Sequence, residues 1–167
     1  YYYNNSPLKI EAPDELFDTL SVGMKFDIKA NEDLSQILVK VKKGRFKTVT
    51  EVTGDKLPMI VKTPYGIYTI NKTKFYQPGK PVEIVASVAG NSVLAESMAK
   101  DLSVIKADKK ANAISLYYED INVQRGKDFL NKMVELYNRR GQKEKDEMAV
   151  NTGKFIDERL DTLYISL

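Results

Sequence analysis

The chain has 167 residues, 43% of them apolar, with 26 basic and 23 acidic side chains for a net charge of +3. That length suits one domain with an extension, and that apolar content suits a packed core. The nearly even charge, dispersed in short groups (Lys42-Lys43-Gly44-Arg45, Lys109-Lys110, Arg139-Arg140), lacks the concentrated basic footprint that nucleic-acid binding requires, and the absence of both cysteine and histidine removes disulfides, thiolate chemistry and the commonest general base.

The first part of the chain, to about Asn71, reads as strands and turns. Pro13 and Asp14 open a helical turn or two that reaches Leu20. Met24, Phe26 and Ile28 alternate with polar residues, as in a half-buried strand. Ile37, Val39 and Val41 alternate in the same way, Lys43-Gly44 turns the chain, and Phe46 to Val52 returns it as a hairpin. A helix from Asp33 to Lys42 competes for the same residues. A second hairpin runs through Met59 to Thr63, turns at Pro64-Tyr65-Gly66 and leaves through Ile67 to Ile70; Pro78, Gly79 and Pro81 mark a loop.

From Pro81 the texture changes. Val82 to Val88 is a strand, and Gly90-Asn91-Ser92 offers a turn and an N-cap. A helix from Val93 to Leu102 would place Leu94, Met98 and Leu102 on one face. Val104-Ile105 and Ala113 to Tyr118 read as strands. Asp120 or Asn122 caps a long helix whose apolar face is Gly126, Leu130, Met133 and Tyr137. From Lys143 the helical pattern continues through Ala149, Gly153, Ile156, Leu160, Leu163 and Leu167, at alternating steps of four and three, the spacing of a coiled-coil seam. Gly141 is expected to kink the junction between the two helical stretches. The fold class expected is α+β: a mixed sheet packed by helices, with a hairpin-rich N-terminal half and a long C-terminal helix. Residues 1–140 form a base domain with a hairpin elaboration at about 22–75, and residues 141–167 begin a helical arm.

Little in the chain points to catalysis. Gly79-Lys80 and Gly153-Lys154 lack the upstream glycine and the following Ser/Thr of a phosphate-binding loop. Carboxylate groups occur at Glu119-Asp120, Asp157-Glu158 and Glu144/Asp146/Glu147, and such groups can hydrolyse glycosides or hold a divalent ion. Their context favours structure: helix capping for Glu119-Asp120, and pairing with Lys143, Lys145, Lys154 and Arg159 for the others. Nothing singles out Ser87, Ser92 or Ser115 as a nucleophile. We expect no catalytic residue, metal or cofactor in the chain.

The segment from Ala113 to Leu167 carries a resemblance. Leu130, Asn131, Met133, Val134 and Tyr137 match a Leu-Asn-x-hydrophobic-hydrophobic-x-x-Tyr motif, and Thr152, Phe155, Ile156 and Leu160 match a Thr-x-x-Phe-Ile-x-x-x-Leu stretch. Both resemble the periplasmic domain of Wzz-type polysaccharide co-polymerases and their exopolysaccharide tyrosine-kinase relatives. Val123 stands where a proline is common in that family, and Gly126 where an alanine is common. The strand-helix-strand unit from Val82 to Ile105 also suits the family's base domain, whereas residues 1–75 match weakly.

The resemblance implies a non-enzymatic domain on the periplasmic face of a bacterial inner membrane. Membrane helices outside this chain would flank it, and a cytoplasmic kinase domain follows in some members. The domain would assemble as a homo-oligomer and act with polysaccharide polymerase or export machinery to set the chain length of capsule, exopolysaccharide or O-antigen. Ile156, Leu160, Leu163 and Leu167 are then the candidates for packing within the arm or between subunits. No stretch here reaches the roughly 18–20 apolar residues of a membrane helix. We read the chain, which opens at Tyr1-Tyr2-Tyr3, as a fragment, with those tyrosines near a membrane interface. A competing reading is a secreted or surface carbohydrate-binding, adhesin-like module, because aromatic residues in the β-rich half can stack on sugars. Others are a hydrolase on an α+β scaffold and a plain ferredoxin-like interaction domain.

Overall fold

The computed structural model describes residues 2–44, 47–106 and 113–165. The chain runs β1 (Leu8–Glu11), α1 (Asp14–Thr19), β2 (Met24–Ala30), β3 (Ile37–Lys43), β4 (Lys47–Gly54), β5 (Met59–Thr63), β6 (Gly66–Lys72), β7 (Val82–Val88), α2 (Asn91–Lys100), β8 (Leu102–Lys106), β9 (Ile114–Tyr118) and α3 (Val123–Ile165). Tyr1, Arg45, Phe46, Lys109, Lys110 and Leu167 lie outside the described residues.

The α+β class, the hairpin-rich N-terminal half and the long C-terminal helix are as the sequence implies. The sheets are antiparallel rather than mixed, in the orders β1-β6-β5, β4-β3-β2-β7 and β8-β9. Most partners are consecutive strands, and neighbours in the chain joined by a short connection pair antiparallel. Alternation decides which face goes in. Met24, Phe26, Ile28 and Ala30 of β2 are buried, as are Ile37, Val39 and Val41 of β3. They pack on Leu8, Met59, Val61, Tyr68 and Ile70 of the first sheet in one cluster, with the Phe26 and Tyr68 rings edge to face at 5.0 Å.

The core is thus sheet against sheet; neither α1 nor α2 buries a residue fully. The alternative helix over Asp33–Lys42 does not form. Asn31 closes the β2–β3 loop by accepting the Gln36 N–H on its side chain, and Leu34 sits there at φ 61°, which no helix accommodates.

The outer face of the four-stranded sheet is a ladder of cross-strand ion pairs. Lys29 meets Glu83 at 2.5 Å, Lys40 meets Glu51 at 3.2 Å, and Lys42 meets Asp27.

Two expectations need correction. The strand Val82–Val88 does not group with the later strands. It pairs with β2 and closes the second sheet, because its own alternation matches the β2 face. The helix after it begins at Asn91 with Gly90 as N-cap and ends at Lys100, and Leu102 opens β8 instead of completing the helical face. Gly90 has a packing reason: a Cβ there would lie 1.7 Å from the Leu20 carbonyl oxygen. Asn91 then donates to Asp18 at 2.7 Å, fastening α2 to α1.

Candidate functional site

The motif and packing candidates from Leu130 to Leu163 fall on α3, so its base and its exposed length define the candidate surface. At the base, Asn122 is the N-cap, accepting the Arg125 N–H on its side-chain oxygen at 3.0 Å. Asp120 has a different task from capping the helix directly. Its side chain is only 2% exposed and takes a two-point contact from Arg125, Nε to Oδ2 at 2.7 Å and the terminal nitrogen to Oδ1 at 2.8 Å, besides the Asn122 N–H. The Arg125 guanidinium and that N–H hold its carboxyl below the usual carboxylate range.

Tyr118 of β9 packs on Phe129 of α3 with ring centroids 4.4 Å apart, and Gly126 is buried beside Tyr118 and Asp120. The Tyr3 hydroxyl donates to Asp128 at 2.8 Å, and that contact raises the Tyr3 pKa. Tyr3 therefore ties the N-terminal segment to α3, whereas Tyr2 is exposed.

Beyond these first turns α3 leaves the body of the protein. Leu130 is half-buried, Asn131 is exposed, and the apolar side chains of Met133, Val134 and Tyr137 open to solvent, Tyr137 at 74% exposure. Further along, Phe155 is 58% exposed, Ile156 51% and Leu160 46%; Thr152 is exposed with its hydroxyl donating to the Met148 carbonyl at 2.8 Å. Leu163 belongs to the helix, but its side chain, like Leu167, lies outside the described residues.

The expected kink at Gly141 does not interrupt the helix, which continues from Val123 to Ile165. One glycine costs about 1 kcal/mol against alanine in a helix interior. Arg139–Glu135, Arg140–Glu144 and Lys143–Glu147 pairs at i,i+4 support the stretch around it. Lys145 and Lys154 join no ion pair among the described residues, and Arg159 sits over the Phe155 ring at 5.5 Å instead of meeting a carboxylate.

Among the described residues no group of three or more acidic side chains is placed to hold a metal ion, and no helix is long and apolar enough to cross a membrane. Of the carboxylates flagged on α3, Glu144 and Glu147 are in exposed ion pairs and Asp146 accepts from Gln142 at 2.9 Å.

Sequence reasoning missed a groove lined by Tyr2, Asn5, Lys74, Phe75, Tyr76, Gln77 and Lys80, because its two walls are some seventy residues apart in the chain. Compared with models of known protein families, with curated proteins and with solved structures, the chain matches none of them.

Proposed function

We propose that this chain is the extracytoplasmic domain of a membrane-anchored, Wzz-type polysaccharide co-polymerase, and that it acts by assembly in place of chemistry. The proposed setting is the periplasmic face of an inner membrane, with homo-oligomers working beside a polysaccharide polymerase or exporter. The observation that carries the reading is the outer length of α3. Phe155, Ile156 and Leu160 stand exposed on a helix whose earlier turns, as far as Glu147, carry ion pairs. A helix displaying apolar residues at seam spacing buries them against a partner helix or leaves an aggregation-prone surface. The motif residues Met133, Val134 and Tyr137 are exposed in the same way and extend that surface toward the body.

The test is genetic and biochemical together. Ile156→Asp with Leu160→Asp, placed in the full-length protein in its own cell, should shift the length distribution of the surface polysaccharide or abolish its display, with protein abundance unchanged. Both residues are exposed, so the domain itself should still fold. An unaltered length distribution in cells that carry normal amounts of the variant would overturn the reading.

A further inference from the structure

We propose that the groove between the N-terminal segment and the start of β7 is a binding site for an acidic oligosaccharide. The groove has a volume of about 650 Å3, within the range of small-ligand sites. Tyr2, Phe75 and Tyr76 supply aromatic rings, and Asn5 and Gln77 supply amides. Lys74 and Lys80 supply charge.

The wall carrying most of these groups is held by backbone. Thr73 donates its N–H to the Pro7 carbonyl at 3.0 Å and its hydroxyl to the Ser6 carbonyl at 2.5 Å. The same hydroxyl accepts the Phe75 N–H at 3.1 Å, and the Tyr76 N–H returns to the Thr73 carbonyl at 3.2 Å. Gly79 donates to the Glu32 carbonyl at 3.3 Å. The aromatic ledge is thereby fixed to both sheets before any ligand arrives, which lowers the ordering cost of binding.

Charge selects the ligand. Lys74 and Lys80 have no carboxylate partner among the described residues; Lys80 donates to Gln77 at 2.8 Å, and Lys74 lies 5.2 Å from the Phe75 ring. The acidic side chain in the lining, Glu83, is held by Lys29 at 2.5 Å. The groove therefore offers uncompensated positive charge beside aromatic surface. Pyranose C–H faces pack on aromatic rings, amides pair with hydroxyls, and lysines pair with uronate carboxylates.

An extended peptide is the less suitable occupant. β7 is a sheet edge, but Pro81 precedes it and Pro7 precedes β1, and both prolines line the groove. Neither has an N–H to offer a docked strand, so side chains must do the recognising. The groove is argued from its own residues and is independent of the exposed face of α3.

The experiment is an NMR titration of the isotopically labelled 167-residue chain with tetragalacturonate, with a neutral cello-oligosaccharide, and with a short poly-glutamate of matched charge. The expected result is a set of saturable shifts at Asn5, Phe75, Tyr76 and Gln77 with tetragalacturonate alone. These should weaken about tenfold in Lys74→Ala with Lys80→Ala, the loss of charge-assisted hydrogen bonds, and vanish in Phe75→Ala. All three residues are exposed, and unchanged shifts of the Phe26 and Tyr68 amides report an intact core. Equal shifts with poly-glutamate would reduce the groove to an electrostatic patch, and an equal response to the neutral oligosaccharide would remove the acidic preference. Shifts elsewhere, or none at millimolar ligand, would likewise overturn the proposal.

Discussion

Phe26 and Phe155 are the same side chain in opposite situations. Phe26 lies fully buried between two sheets, edge to face with Tyr68, while Phe155 stands on the surface of a helix with Arg159 over its ring. The two regions solve burial differently. The β-sandwich turns alternate residues inward and satisfies itself within one chain, leaving charged pairs outside. The outer part of α3 keeps its helical form through local hydrogen bonds and ion pairs, yet leaves its apolar residues exposed. A helix needs no distant residue to complete its hydrogen bonds, so it can extend away from a core; a strand cannot.

The largest effect should separate the two regions directly. Phe26→Ala should destabilise the chain by about 3–5 kcal/mol in urea unfolding, through lost burial and the cavity left behind. Phe155→Ala should change the same measurement by less than about 0.5 kcal/mol, as for other surface positions. Equal losses would mean that α3 folds back on the body in solution.

Next comes the joint between α1 and α2. Gly90→Ala should cost about 1–3 kcal/mol as an overpacking change, because the new Cβ meets the Leu20 carbonyl and backbone must shift. Asn122→Ala at the N-cap of α3 should cost about 1 kcal/mol, read as lost amide protection in the first turns of the helix.

Gly141→Ala should move the other way and stabilise α3 by about 0.5–1 kcal/mol, seen as a gain in helical circular dichroism, because nothing lies within 4 Å of the added methyl. A loss there would mean that the glycine serves a bend or a close contact in the assembled protein. Arg140→Ala should have the smallest effect, about 0.3–0.5 kcal/mol through the exposed pair with Glu144, fading at high salt.

The base of α3 also carries a pH dependence. Because Arg125 and the Asn122 N–H depress the Asp120 pKa in the folded chain, their stabilisation is fully present above the unfolded value of about 3.9 and is lost as pH falls through the folded value. The stability gap between the parent and Arg125→Ala should accordingly close on acidification below about pH 4, followed by thermal melts at a series of pH values. A gap that stays constant would show that Arg125 stabilises by packing alone.

Strand positions were legible where burial has period two, as in Met24-Phe26-Ile28 and Ile37-Val39-Val41, since one face of a strand must be apolar to pack. The helix at Val123–Ile165 was legible from its 3–4 spacing, though its continuity through Gly141 was not, because a glycine's local cost competes with ion pairs on either side that spacing alone does not weigh. The partner of β7 was illegible for another reason: an alternating segment specifies which face is buried but not which strand lies beside it.

What the sequence determined by itself was local: the two hairpins, the capped helix, the helical spacing of Ile156 and Leu160, and the want of histidine or cysteine. Those features depend on residues within a few turns of one another. The tertiary structure decided the pairing of β2 with β7, the closing of two sheets on Phe26 and Tyr68, the fastening of Tyr3 to Asp128, and the meeting of Asn5 with Phe75 and Lys80 in one groove. Each joins residues some forty to more than a hundred positions apart, and such contacts are selected by the burial and backbone pairing of the whole chain at once, which no short window of sequence contains.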